Sequence, residues 1–490
     1  MEKTFNFKRL IRVMLYTSVL CLTMILLSGR AFAAGYMATF DVNGTIIEVY
    51  SHNQFEDALE AIDDLGQDTY ATITLNRDIT ERVPELDAYR IDMTINLNGH
   101  TWTIADSTSM ESESSIHING GGGTIKFSND AYPSGLFCIY GANAITAKDT
   151  NFVDCHCGRY PLFYVEANVN GRIELSNCRF ENCSSTAYGG VIYVYRMRDI
   201  VIDSCSFNNC HSTYGGVFYV EDSCGELGSR RACTINAYNN GSSDTTTFSS
   251  CSAEYGGVLY IDYSWVNFFM PDGGFIGSCS ADWGGAVYCA LDSEFRMTTG
   301  DFAGKSPDGI RSNIQNCKAN NDGGFCYSEG EVDINKQTVQ SCSARNGGFL
   351  YMNNNKKSYI FYSDISECTA TGNNGSVICC WNTVTSEPCE LVGVEITDKV
   401  DGRGSVIMCA KKILTGDSFH PSTIITNNKH AISNGGESTA DFVSLVSFNG
   451  EPLGFTLSSG NWWIIGIGAV VILGGIAAIL VVNRKKKKTV

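Results

Sequence analysis

Three sets of residues in this 490-residue chain have types and spacings that could do chemistry. The first is a row of carboxylates: Glu221, Asp222, Asp262, Asp292, Glu329 and Glu331, each just past a short apolar run. Oxygen donors in such a row are what calcium takes, and two carboxyls at a suitable separation make the acid and base of a glycosidase. The plain alternative is a solvated turn. No basic residue recurs beside the row, which argues against a polysaccharide lyase.

The second set is aromatic. Tyr193, Tyr219, Tyr260, Tyr288, Tyr327 and Tyr351 each sit inside a short run such as Val217-Phe-Tyr-Val220. The third set is sulfur. Cys155, Cys183, Cys210, Cys251, Cys279, Cys317, Cys342 and Cys368 recur at one place in a repeat, and Cys178 and Cys205 at a second. They form either disulfides between neighbouring units or a dry column of buried thiols. Cys224 and Cys233 are the best candidates for a disulfide. Zinc is not expected, because the chain has no Cys-x-x-Cys and its 7 His are scattered. There is no Gly-x-Ser-x-Gly, His-Glu-x-x-His or Walker loop, so no catalytic residue is assigned. Calcium on the acidic row is the sole cofactor suggested.

These residues are positioned by a repeat. Tyr188-Gly-Gly-Val-Ile-Tyr-Val194 returns at 214–220, 255–261, 283–289, 322–328 and 346–352, with degenerate copies at 374–380 and 403–409. The first glycines fall at 189, 215, 256, 284, 323, 347 and 375, so the gaps are 26, 41, 28, 39, 24 and 28 residues. The two long gaps are the same unit with insertions, at 223–246 and 300–312. An apolar-x-x-Cys motif, as in Phe207-Asn-Asn-Cys210, precedes each glycine pair. Two motifs held in phase mark a solenoid or another repeat array.

Each apolar run is β-branched and aromatic and too short for a helix, so the units are strands joined by turns. Strands stacked coil on coil at ~4.8 Å satisfy their backbones through parallel ladders, as in a parallel β-helix. Alternation puts every second residue inside. One placement puts Ile192, Val194, Phe218 and Val220 inward, so that the tyrosines between them form an outward ladder beside the carboxylates; the competing one puts the tyrosines inward and the aliphatics out under a covering loop. Stacked rings with flanking acids suit a sugar or a basic protein.

The pairing of Gly-Gly-apolar with Phe-x-x-Cys resembles the repeats of polymorphic outer-membrane proteins, which carry Asn where this chain has Cys. The resemblance covers roughly residues 150–410. It implies a right-handed β-helix and a role in adhesion. The family's C-terminal outer-membrane barrel has no counterpart here. Residues 35–110 differ from the repeats. Asn53 is a plausible N-cap for a helix at 55–62, and the strands that follow end at Leu97-Asn-Gly-His100. That layout is similar to the start of pectate-lyase-like β-helices on bacterial surfaces.

The ends set the topology. Residues 1–34 have a basic start, an apolar core and Ala31-Phe-Ala33, the pattern of a secretory signal peptide. Trp462 to Val482 carries no charge and is followed by Arg484 and Lys485 to Lys488, the pattern of a transmembrane helix with a cytoplasmic tail. The expected organisation is a signal peptide (1–34), an N-terminal cap with irregular first coils (35–110), parallel β-helix repeats (111–440), a polar stalk (441–461), a transmembrane helix (462–482) and a basic tail (483–490). The fold class is all-β. Between leader and tail stand 25 Lys/Arg against 51 Asp/Glu, a net of −26. That surface repels nucleic acid and anionic lipid. The expected function is a single-pass cell-surface protein that adheres or binds a glycan or a protein of a host or neighbouring cell, without catalysis. A polysaccharide-active enzyme and a structural surface spacer are the alternatives.

Overall fold

A computed structural model describes residues 35–452, except 64–68, 85–90, 108, 113–114, 130, 141–143, 167–170, 224–231, 239–244, 300–310, 354–357, 373–376, 382–388, 393, 398–406, 410–412, 416–422, 427–431, 435–445 and 449–450. The expected signal peptide, transmembrane helix and tail, most of the stalk, and Cys224 lie outside the described residues. Among the described residues no helix is long and apolar enough to cross a membrane.

The chain is mostly strand, gathered into long parallel sheets of 15, 12 and 15 strands and a short one of 4. Successive strands visit the three long sheets in cyclic order. Phe163–Glu166 joins the 12-stranded sheet, Arg172–Ser176 one 15-stranded sheet and Arg179–Glu181 the other, before Ile192–Tyr195 returns to the first. We call these the tyrosine, aliphatic and phenylalanine sheets, after the residues each stacks. Every return lands in register: Phe163 on Ile192 on Phe218, and Phe152 on Phe180 on Phe207. Such repeated parallel structure is consistent with a β-helix solenoid.

One apolar core runs along the coils. Ile192, Val194, Phe218 and Val220 face it, as alternation predicts. Phe152, Phe180, Phe207 and Phe248 stack through it with centroids 4.7–4.9 Å apart and planes within 11°.

The phase of the motifs follows from the corners. The residue before each column cysteine lies in the left-handed region: Asp154, Asn182, Asn209, Ser250, Ser278, Asn316, Ser341 and Glu367 have φ of 53–56°. Asn and Asp tolerate that conformation best, which explains the recurrent Asn before Cys. The bend turns the cysteine inward. Cys155, Cys183, Cys210, Cys251, Cys279, Cys317, Cys342 and Cys368 are buried free thiols. The Sγ of Cys183 donates to the Phe152 carbonyl one coil back at 3.5 Å, and that of Cys251 to the Phe207 carbonyl at 3.7 Å. Burial pushes the Cys155 and Cys210 thiols well up. Cys233, half of the expected disulfide, is also a buried thiol of the core.

The glycine pair has two distinct duties. The first glycine takes φ of 58–74° at 189, 215, 256, 284, 323 and 347. The second is there for proximity. A Cβ on Gly216 would land on the carbonyl oxygen of Gly257 and 2.8 Å from that of Ser252.

The start of the chain closes the first coil. Strands Ala38–Val42 and Thr45–Val49 pair antiparallel through an Asn43-Gly44 turn, and the first then pairs antiparallel with Thr69–Leu75. Helix His52–Asp63 lays Phe55, Ala58, Leu59 and Ile62 on the core end, with Phe55 5.1 Å from Phe40 and 6.0 Å from Trp102. Its N-cap is Ser51 rather than Asn53. The Phe55 N–H bonds to the Ser51 carbonyl at 3.0 Å, and Gln54 reaches back to the Tyr50 N–H at 2.8 Å. Regular parallel pairing starts at Thr69, well before 111, because alternation alone carries the aliphatic and phenylalanine sheets. Only the tyrosine sheet waits until Met110–Ser112.

Gly216→Val should lower stability by more than about 1 kcal/mol, read as a reduced urea midpoint at unchanged slope. A neutral result would show that the coils can part at that point. The column thiols should resist iodoacetamide in the native protein and react fully in guanidinium. Disulfide-linked peptides between adjacent coils in a non-reducing digest would overturn the thiol column.

Candidate functional site

The tyrosine sheet has two faces, and both are organised. Its inner face belongs to the main core. Its outer face carries Tyr193, Tyr219, Tyr260, Tyr288, Tyr327 and Tyr351 in continuous register, extended downward by Tyr164. Neighbouring rings lie 4.9–5.4 Å apart with planes 6–19° from parallel. The ladder points outward, as alternation predicts.

It is not an open platform. Tyr193 is 7% exposed and Tyr219 5%. The cover is a second aromatic column built from the residue before each glycine pair: Tyr188, Tyr214, Tyr255 and Trp283 pair from coil to coil. Each packs edge-on to a ladder ring further along, as Tyr188 on Tyr219 at 5.0 Å and Trp283 on Tyr327 at 5.3 Å. The expected exposed binding surface is therefore corrected. The ladder is a second, smaller core outside the sheet. The covering column was legible as the first letter of the motif, but its glycine pair hid it. A left-handed glycine swings that preceding ring back over the strand.

The acidic row divides between two tasks. Glu221 accepts the Tyr193 hydroxyl at 2.5 Å and Asp262 that of Tyr219 at 3.0 Å. Glu329 accepts from Tyr327 at 3.4 Å. Such bonds to a charged acceptor are worth about 1.5–3 kcal/mol each. Asp222 instead takes the Arg196 Nε at 2.6 Å. These carboxylates are spoken for by the protein, and the row does not gather into a calcium cage. Among the described residues the imidazole and carboxylate atoms that converge within 4.8 Å are those of His52, Glu56 and Glu81, at the cap. There His52 meets Glu81 at 2.5 Å and Arg82 meets Glu56 at 2.7 Å, so a guanidinium already neutralises the group.

One part of the row opens into a cleft. At the corner between the tyrosine and aliphatic sheets, Tyr195, Glu221, Asp222, Tyr263, Trp265 and Asp292 line a cavity of about 480 Å³. The corner residues Arg196, Asp222, Tyr263 and Asp292 come from successive coils, all left-handed at φ of 43–59°. Other left-handed corners use mostly Asn, Asp and Ser, with Lys336, Tyr362 and Glu367 as the larger exceptions. A tyrosine at φ 43° is strained, by about 1–2 kcal/mol, and its ring is left 60% exposed. The result is a wall of aromatic faces and carboxylates with no basic residue among those lining it. Tyr195, Tyr263 and Trp265 were missed in the sequence, because they are out of phase with the Gly-Gly motif. The exposed aromatic after Asp262 was the signal available. A second cleft, of about 590 Å³, lies at the next corner and is lined by Gly121, Asn151, Asn177, Arg179 and Ser206 among others, without aromatics.

The ladder tyrosines titrate late. Burial pushes them up, Tyr327 to about 12. An unfolded tyrosine ionises near ~10, so the folded form holds its proton longer. Stability is thus complete below that value and is lost as pH rises through the folded one. Phenolate absorbance from the ladder should appear only together with loss of the β circular-dichroism signal. Tyr219→Ser should cost about 3 kcal/mol or more, and Tyr219→Phe only about 1–2, since it keeps the ring. Full stability of the Ser variant would show that the rings are not a core.

No protein-family model, characterised protein or solved structure matches this chain.

Proposed function

We propose that this chain is a ligand-binding, adhesin-type protein of the cell surface. Its repeats fold as a right-handed parallel β-helix, with resemblance to polymorphic outer-membrane protein repeats, exported by residues 1–34 and anchored by residues 462–482. The observation that carries the binding role is the cleft at Tyr195, Glu221, Asp222, Tyr263, Trp265 and Asp292. A strained, exposed tyrosine and a half-buried tryptophan beside carboxylates are expensive on a surface that only spaces other parts. The stacked ladder behind them supplies a rigid support.

An enzymatic reading has one observation of its own. Asp333, on the outer face of the aliphatic sheet, has its carboxyl pushed up to about 6 by burial, with Arg296 opposing. A carboxyl that holds its proton up to about pH 6 suits a general acid in mildly acidic solution. It stands on a sheet face beside Glu294 and Glu331 rather than in the cleft, so binding is the stronger reading.

Cells displaying the full chain should bind a member of a mixed glycan and protein array, and the Trp265→Ala chain should lose that binding while remaining folded. Binding unaffected by the change would move the site elsewhere. Cleavage of an arrayed glycan, abolished by Asp333→Asn, would replace the proposal with the enzymatic one.

A further inference from the structure

The tyrosine ladder has a property that packing does not use: each of its rings can lose an electron. The phenylalanine column shows that this chain also builds ring stacks without hydroxyls, at centroid spacings of 4.7–4.9 Å. The ladder instead keeps a phenol at every level from Tyr164 to Tyr351, joined by unbroken steps of 4.9–5.4 Å. Electron tunnelling falls steeply with distance, so rings in contact exchange electrons far faster than rings a coil further apart.

The hydroxyls are provided with bases. Tyr164 donates to Glu166 at 3.0 Å, Tyr193 to Glu221 at 2.5 Å, Tyr219 to Asp262 at 3.0 Å and Tyr327 to Glu329 at 3.4 Å. The charges of Asp262 and Glu329 also bear on Tyr260 and Tyr288. A phenol that loses an electron becomes a strong acid. Under cover from water the resulting cation is costly, so the proton must leave with the electron. A carboxylate already bonded to the hydroxyl is the group that takes it.

Both ends of the column are oxidisable as well. In the register of the ladder Cys138 lies below Tyr164 and Cys379 above Tyr351, and both are buried thiols. The foot is reached from solvent through Tyr140, 37% exposed and 5.8 Å from Tyr164, and through Tyr160 at 4.5 Å.

We propose that the ladder is a relay for oxidising equivalents, which carries one-electron vacancies along the coils between its foot and Tyr351. Its substrate is a high-potential one-electron oxidant in solution, of the ferryl-haem class. The oxidant gains one electron from Tyr164, directly or through Tyr140 or Tyr160, and the Tyr164 proton passes to Glu166. A neutral phenoxyl radical remains. Tyr193 then gives its electron to that radical and its proton to Glu221, while Glu166 returns its proton to Tyr164. Each later step repeats the exchange, so the vacancy moves one coil and no proton or electron is gained or lost. This activity is separate from binding in the cleft, and its failure would leave that proposal standing.

The test uses the detergent-solubilised full chain carrying Ser134→Cys, an exposed position beside Gly158 at the foot of the ladder. That cysteine is labelled with a thiol-reactive ruthenium photo-oxidant, and the labelled chain without the substitution is the blank for any native thiol that reacts. Incorporation of 3-aminotyrosine in place of Tyr351 traps the vacancy at the far end, with its own electron paramagnetic resonance spectrum. A flash in the presence of an electron acceptor should give the aminotyrosyl signal. Tyr255→Phe together with Tyr260→Phe should lower it at least tenfold, with the fold retained by circular dichroism. Tyr255 is included because it stacks on Tyr214 and meets Tyr288 at 5.3 Å, a way round Tyr260. Asp262→Asn, which can accept the Tyr219 hydroxyl but cannot take its proton, should lower the signal severalfold. No signal at position 351, or an equal signal from the double phenylalanine variant, would overturn the relay. An undiminished signal from Asp262→Asn would overturn the proton step.

Discussion

Everything in this molecule depends on one coil lying on the next in register. Parallel ladders fix the separation at ~4.8 Å, so each position in the repeat becomes a column of like residues. A residue is acceptable only if it stacks on itself. Phenylalanine, tyrosine and cysteine do, and they fill the columns at 180, 193 and 183 and above. Glycine at 190, 216, 257, 285 and 324 is the extreme case, since each would drive a Cβ into the backbone of the coil above. Asparagines at the corners bond along their column, as Asn209 to Asn182 at 2.8 Å.

The same constraint explains why this chain carries a second core outside a sheet. A column of tyrosines facing water would expose a long aromatic strip. The chain covers it with a second column from the residue before the glycine pair and ties the hydroxyls to Glu221, Asp262 and Glu329. Much of the acidic row is thereby structural. At Trp283 the covering column ends, and Asp322, held by Asn346 at 2.7 Å and by Arg345, takes its place in the stack.

Specific chemistry arises where a column stops repeating. The corner that reads Arg196, Asp222, Tyr263 and Asp292 places four unlike side chains one above another. A uniform column satisfies itself, whereas this one leaves rings and charges presented to a cleft of about 480 Å³. The buried ladder behind it holds that corner still.

The sequence by itself determined the repeat, its phase, the strand character of each unit and that alternate strand residues face opposite ways; which of the two sets faces the core was decided by the tertiary structure. The former follow from local alternation and from glycine, which a single chain displays directly. The alternation of Phe218 and Val220 with Tyr219 and the stacking of the column cysteines were legible for that reason. The start of the coils at Thr69 was not, because the first turns lack the glycine signature and rely on alternation alone. Only the tertiary structure decided what covers the outward tyrosines, since Tyr188 and Tyr219 meet across coils 31 positions apart at 5.0 Å, a contact set by the swing of a left-handed glycine. It alone also brought Tyr195, Tyr263 and Trp265 to one cleft with Asp292, because those residues share a corner and not a motif. Sequence periodicity reports what recurs, and a site made of departures from the period becomes visible only once the coils are stacked.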